Sequence, residues 1–268
     1  MRFFPKTICL LFAAALLGGC AKSSTDAFQG YVEGEYVYVA APLGGALTNL
    51  AVARGDQLKK GQLLFTLERQ SEAAALLQAE KNLAQASASL TLSGSTFQRR
   101  QELRNLPSAV ISAEELDQAR SQRDADAAQV AAQQAALDKA KWSFDQKQQF
   151  APADAQVHDT LYRQGEWVAA GNPVVVLLPP ENLKVRFFVP QEMLPQIKVG
   201  QTVSLECDGA PRPIKAAISY ISTQVEYTPP VIYSRETRAN LVFMIEAKIA
   251  LADAADVRPG QPADVRLN

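Results

Sequence analysis

The sequence predicts an α+β fold in which a β-sandwich is split by a long inserted antiparallel helical hairpin. Three observations carry this. The 14 glycines and 15 prolines are unevenly spread, with only Gly94 and Pro107 between Arg69 and Gln149 and one every few residues elsewhere. Glycine and proline end helices and make turns, so the middle third reads as helix and both flanks as turn-rich β-structure. The flanks are also copies of each other, and the middle third carries a seven-residue apolar period.

The duplication is gap-free. Ala41-Pro42, Gly55, Gly61 and Leu67 align on Ala151-Pro152, Gly165, Gly171 and Leu177, a constant offset of 110. Each copy has a glycine, an acid, an apolar residue and a second glycine (Gly55-Asp56 with Leu58 and Gly61; Gly165-Glu166 with Val168 and Gly171), followed by Leu63-Leu64-Phe65 or Val174-Val175-Val176. Turn glycines flanking a single apolar position fit a tight β-corner. Residues 39–68 and 150–178 are therefore expected to be two quasi-equivalent halves of one flattened sandwich with pseudo-two-fold symmetry.

Residues 69–149 form the insertion. Leu76, Leu83, Leu90 and Phe97 are seven apart; Leu116, Val130, Leu137 and Phe144 keep the same period, interrupted by Arg123. Ala79, Ala86, Ala119 and Ala140 fall three residues beyond these, giving a coiled-coil seam with small residues that let two helices approach. Ser93, Gly94, Arg123, Asp126 and Gln133 interrupt it. The break between the arms lies at Asn105–Ser108, and Ser112 with Glu115 three residues on is a capping-box signature.

The N-terminus reads as an address. Arg2 and Lys6 precede an apolar run from Thr7 to Leu17, long enough for a signal-peptide core and too short to cross a bilayer. Leu17-Gly18-Gly19-Cys20 resembles a bacterial lipobox, which implies a signal peptide over 1–19 and lipid on Cys20. Residues 20–38 are then expected to be a tether and leading strand. Ala21, following the cysteine, does not decide between membranes.

The glycine-corner repeat resembles a biotinyl/lipoyl domain. Such carrier domains bear a cofactor lysine on the hairpin joining their halves; here about 80 residues stand there, with no Met-Lys pair, so no cofactor is expected. A split lipoyl-like domain holding a long helical hairpin resembles the HlyD-type membrane fusion proteins, also called periplasmic adaptor proteins. The last third is similar too. Leu183–Glu192 with Ile197–Val203 resembles the start of that family's β-barrel domain, and Val257–Val265 its closing strand, so residues 179–268 are expected to form a barrel. Val185, Phe187 and Val189 alternate as in a half-buried strand. Thr228-Pro229-Pro230, Thr237-Arg238 and Leu241–Ile245 resemble a segment of adaptors serving ABC-type exporters.

The resemblance implies a subunit that links an inner-membrane transporter, ABC-type here, to a TolC-like outer-membrane channel for efflux or secretion. It implies a hexamer in the complex and residence in the periplasm of a Gram-negative bacterium. The lipid anchor lies in a membrane facing that compartment, the inner membrane ahead of the outer. It also implies channel contact at the hairpin tip through an Arg, a Leu four residues on and a Ser seven beyond that. Arg99 and Leu103 match; Ser112 lies nine after Leu103, and the longer turn contains Pro107. The alternatives are an adaptor of a resistance-nodulation-division pump, or a structural envelope lipoprotein acting through its coiled coil.

Composition agrees with a protein that performs no catalysis. The 268 residues carry 27 Lys+Arg against 28 Asp+Glu, a formal charge of −1, which supplies no basic field for nucleic acid. One histidine, His158, and three separated cysteines (Cys9, Cys20, Cys207) give no metal-binding spacing and no disulfide framework. His158 reads as a strand-surface residue, Cys207 as an unpaired strand-end thiol, and Trp167 as sandwich core, with an inter-subunit contact as the alternative. Glu114 and Glu115 read as helix N-terminal acids.

Overall fold

The computed structural model describes residues 27–107, 111–227 and 241–267. Cys20, the signal segment and residues 228–240, with Thr228-Pro229-Pro230 and Thr237-Arg238, lie outside the described residues. In chain order the strands are β1 (Ala27–Gly34), β2 (Val37–Ala40), β3 (Gly45–Leu50), β4 (Gln57–Leu58) and β5 (Leu63–Leu67). The helices α1 (Gln70–Arg104) and α2 (Ala113–Asp145) follow, then β6 (Gln148–Phe150), β7 (Ala155–Thr160), β8 (Trp167–Val168) and β9 (Pro173–Leu178). The remaining strands are β10 (Leu183–Pro190), β11 (Thr202–Cys207), β12 (Ile214–Tyr227), β13 (Leu241–Ile249) and β14 (Pro262–Leu267). Two compact units result, one over residues 35–182 and one joining 27–34 to 183–267.

The first unit holds the sandwich and the hairpin. Its two sheets run β2-β9-β7-β4 and β6-β5-β3-β8. Shifting every strand by the repeat offset turns one order into the other, so each half contributes to both sheets. The corner geometry repeats in the same way. Gly55 N donates to Val157 O at 2.9 Å and Gly165 N to Leu47 O at 2.8 Å; Gly61 N donates to Ala151 O at 2.8 Å and Gly171 N to Ala41 O at 2.9 Å. All four glycines have φ between 81° and 95°, backbone that a side chain strongly disfavours. Asp56 Oδ2 accepts from Ala53 N, and Glu166 Oε2 from Arg163 N, each at 2.8 Å. The acid after each first glycine thus closes its own turn. The core between the sheets contains Leu47, Leu64, Phe65, Leu67, Val157, Val168, Val174, Val175 and Leu177, all buried.

Trp167 is not part of that core. It is 71% exposed, while its neighbour Val168 is fully buried. The two-residue strands β4 and β8 share one pattern, outward then inward, so the inward positions are Leu58 and Val168 and the outward ones Gln57 and Trp167. Side chains alternate across a strand, and Gln57 marked the outward position in the sequence.

The hairpin seam follows the heptads. On α1, Ala79, Ala86, Ser93 and Phe97 are buried, and Leu76, Leu83 and Leu90 are half-buried between them. On α2, Ala119 is buried and Leu116, Arg123, Asp126, Val130, Gln133, Leu137, Ala140 and Phe144 are half-buried. At the root, the Arg69 guanidinium lies 4.6 Å from the Phe144 ring centroid. Near the tip, Arg100 Nη1 donates to Glu115 O at 2.9 Å. That antiparallel register sets Leu90 opposite Asp126 and Ser93 opposite Arg123. Arg123 is accommodated by stacking, 4.5 Å from the Phe97 ring centroid.

The second unit is a closed barrel in the order β1-β10-β13-β12-β11-β14. Val32, Val185, Phe187, Val189, Val203, Leu205, Ile214, Ile245, Ala247 and Val265 fill it, each fully buried. The expected partition needs correction here. Residues 27–34, within the segment expected as tether and leading strand, are the first strand of the barrel, and β1 pairs with both β10 and β14. Without β1 a sheet formed from residues 179–268 would be left with two open edges. Residues 179–182 belong instead with the sandwich unit.

The barrel is itself a repeat, with an offset of 60. Gln191–Gln196 and Leu251–Asp256 are both 3₁₀ helices. Gly200 N donates to Ile218 O and Gly260 N to Val32 O, both at 2.8 Å. Lys198 N binds Gln201 Oε1 at 3.2 Å and Arg258 N binds Gln261 Oε1 at 3.1 Å. The pseudo-axis passes where Arg186 faces Glu246 and where Leu205 faces Val265.

Candidate docking site at the hairpin tip

The tip is built from the last turns of α1, the turn through Pro107, and the first turn of α2. Two arginines four residues apart on α1 reach across it. Arg100 Nη1 donates to Glu115 O, and Arg104 Nη1 to Ile111 O at 2.6 Å. They occupy acceptors near the start of α2 and fasten the two helices together across the turn. Arg99, Leu103 and Leu106, spaced by four and three, share the adjacent stripe of α1 and its C-cap turn. All three are exposed, Leu103 by 39% and Leu106 by 50%, and Pro107 is exposed beside them. Surface leucines at such spacing supply apolar contact area at the exposed end of the hairpin.

Ser112 has a different job. Its side chain accepts from Glu115 N at 3.2 Å and donates to Glu115 Oε2 at 2.9 Å, while its own N–H donates to that carboxylate at 2.9 Å. This is a complete capping box. Hydrogen bonds from the Ser112 backbone and hydroxyl hold the Glu115 carboxyl below the usual carboxylate range. The structure thus brings Arg99, Leu103 and Pro107 to one exposed end and commits Ser112 to the helix start. Leu106, not among the residues expected to make the contact, joins them; its i+3 spacing from Leu103 is the signal for it.

Below the tip an open groove of about 530 Å³ runs between the helices, lined by Ser89, Ser93, Arg100, Gln118, Gln122 and Asp126 among others. Its lining mixes hydroxyl, amide and charged groups with Leu92 and Ala119, because the polar Ser93 and Asp126 take seam positions there. Gln122 Nε2 donates to Asp126 Oδ1 at 2.9 Å, so that carboxylate is already partnered.

Other singled-out residues sit away from the tip. His158 is exposed on β7, its ring 4.2 Å from that of Tyr36. Cys207 is buried at the end of β11; burial, with Asp208 and Asp264 nearby, pushes its thiol pKa up, which disfavours the reactive thiolate. Among the described residues, no group of three or more His, Cys, Asp or Glu could hold a metal ion, and no helix is long and apolar enough to cross a membrane.

Comparison with known proteins bears on both units. Residues 75–147 match the family model of the RND MFP alpha-helical hairpin domain. A UPF0194 membrane protein of Citrobacter koseri is 29% identical over 316 residues, covering 96% of this chain and 94% of that protein. The membrane fusion protein Spr0693 from Streptococcus pneumoniae R6 superposes with a TM-score of 0.66 at 21% identity, over 90% of this chain and 98% of that one. MacA from Actinobacillus actinomycetemcomitans gives 0.69 at 16% identity, over 89% and 76%. The split sandwich, inserted hairpin and six-stranded barrel are together the fold of the membrane fusion proteins.

Proposed function

We propose that this protein is a periplasmic adaptor, a non-enzymatic subunit linking an inner-membrane transporter to an outer-membrane channel of TolC type. The observation that carries this is the hairpin: a hairpin domain matched by the RND MFP model, whose tip is fastened by Arg100 and Arg104 and leaves Arg99, Leu103 and Leu106 exposed. An arm of two helices with one shallow seam is poor as a core and good as a reach, since α1 spans about 52 Å at 1.5 Å per residue. Lipid on Cys20 anchors the chain to a membrane facing the periplasm, the inner one. A single acyl chain holds only marginally, and assembly as a hexamer multiplies the anchors without new contacts.

The transporter is ABC-type in this reading, from the resemblance of residues 228–245. A resistance-nodulation-division transporter is the second reading, favoured by the kind of hairpin model that residues 75–147 match. Co-purification of the full-length chain from detergent-solubilised membranes separates them by which transporter class accompanies it. A photo-crosslinker at Leu103 is expected to capture an outer-membrane channel protein, and Leu103→Ala to lower export at unchanged protein level. Capture of no outer-membrane protein, with export unaffected, would leave a structural envelope lipoprotein instead. Cys20→Ala is expected to abolish fatty-acid labelling; retained label removes the anchor.

A further inference from the structure

Lys147 stands between α2 and β6 and is only 5% exposed. Its Nζ donates to the Gly44 carbonyl at 2.7 Å and pairs with Glu72 Oε1 at 3.0 Å. Gly44 lies in the turn between β2 and β3 of the sandwich, and Glu72 lies in the first turn of α1. One ammonium therefore ties the end of one helix, the start of the other and the sandwich. The second Glu72 oxygen accepts from Ser71 Oγ at 2.9 Å. Burial pushes the Glu72 carboxyl up, but the hydrogen bonds from Lys147 and Ser71 outweigh it and hold the group below its usual range. Space is kept for the contact: a Cβ on Gly45 would sit 3.2 Å from Lys147 Nζ and 3.4 Å from Glu68 O.

The repeat supplies an internal control. The position equivalent to Lys147 is Val37, which packs against the sandwich core. The position equivalent to Gly44 is Asp154, which binds Lys59 Nζ at 2.8 Å and Lys60 N at 2.9 Å on an exposed corner. The same place in the fold is thus filled by valine where a single strand leads in and by lysine where the hairpin is attached. A buried ion pair seldom stabilises more than apolar packing of the same volume would. What it adds is direction, because a charge held between a carbonyl and a carboxylate satisfies both in one arrangement only.

We infer that Lys147 is a positioning residue that sets the direction in which the hairpin leaves the sandwich. This rests on the reading of the tip as the partner-binding end. For an arm of about 52 Å, a 10° change at the root moves the tip by about 9 Å, more than a docking surface of a few side chains tolerates. Aim is therefore fixed at the root rather than at the tip.

The test uses the full-length protein, with spin labels on non-natural amino acids at position 57 of β4 and position 101 of α1. The unaltered chain is expected to give one narrow distance distribution. Lys147→Met is expected to shift or broaden it by about 5–10 Å with unchanged helical content. So is Lys147→Met combined with Glu72→Gln, which leaves no buried charge behind and guards against simple misfolding. Both variants are expected to lose most of the photo-crosslinking from Leu103. An unchanged distribution in both overturns the inference, whatever the crosslinking does. Full crosslinking despite a broadened distribution overturns it as well. A broadened distribution in a protein whose unaltered form captures no channel upholds Lys147 as the joint and removes the adaptor reading alone.

Discussion

The sandwich and the hairpin hold themselves together in different ways. In the sandwich, residues from both halves interdigitate, and Leu64, Phe65, Leu67, Val168, Val174, Val175 and Leu177 have no exposed surface. Backbone bonds from each half close the corners of the other. In the hairpin each long helix has one neighbour, and among the described seam residues only Ala79, Ala86, Ser93, Phe97 and Ala119 are buried. Cohesion is concentrated in the sandwich, whereas the hairpin contributes length and surface at little packing gain per residue.

That contrast can be broken at graded cost. Phe65→Ala, at a fully buried site, is expected to destabilise the sandwich by about 3–5 kcal/mol, read by chemical denaturation; a loss under 1 kcal/mol would mean the core is less closely packed than described. Gly165→Ala places a Cβ where nothing lies within 4 Å, so its cost is purely the positive φ, about 1–2 kcal/mol. Gly94→Ala, at a helical glycine with equally open space, should instead stabilise α1 by about 0.5–1 kcal/mol. Opposite signs for the same substitution separate the two regions.

Smaller effects sharpen the picture at the ends. Ser112→Ala is expected to cost about 1 kcal/mol, seen as faster amide exchange in the first turn of α2 while the sandwich amides keep their protection. Because the Glu115 carboxyl is held below its usual range, the cap is complete above ordinary carboxylate pKa values. It is lost as pH falls through the lowered one. Trp167→Gln should change stability by less than about 0.5 kcal/mol, and iodide should quench much of the Trp167 emission in the unaltered protein. A well-shielded Trp167 would show that its outward face is covered.

How much of this was legible depends on where the constraint lies. The sandwich repeat could be read because four glycines at positive φ fix residue identity at fixed spacing. The hairpin could be read because one seam imposes a single period on both helices. The barrel repeat went unread: Ile197-Lys198-Val199-Gly200-Gln201 and Val257-Arg258-Pro259-Gly260-Gln261 share one glycine-glutamine turn, and the strands around it are free to differ so long as alternate positions are apolar. That the leading strand belongs to the barrel went unread for a related reason, since its neighbours β10 and β14 are remote in sequence and local pattern does not announce a distant pairing. Trp167 shows the reverse error: an aromatic residue suggested burial, although the aligned Gln57 already marked that position as outward. At the tip, Ser112 could serve a partner or its own helix, and Glu115 three residues on decided for the helix.

The pairing of β1 with β14 has a consequence for the order of folding. The helices can meet as soon as both are free to fold, since their contacts can close progressively from the tip, where Arg100 meets Glu115, to the root, where Arg69 meets Phe144. The sandwich needs β9 before its second sheet can complete. The barrel waits longest, because its first strand has no second neighbour until its last strand exists. Closing so large a loop adds entropy cost only slowly with length, yet it slows folding relative to local contacts. Until then β1 carries one unsatisfied edge, the kind of edge that pairs with other chains.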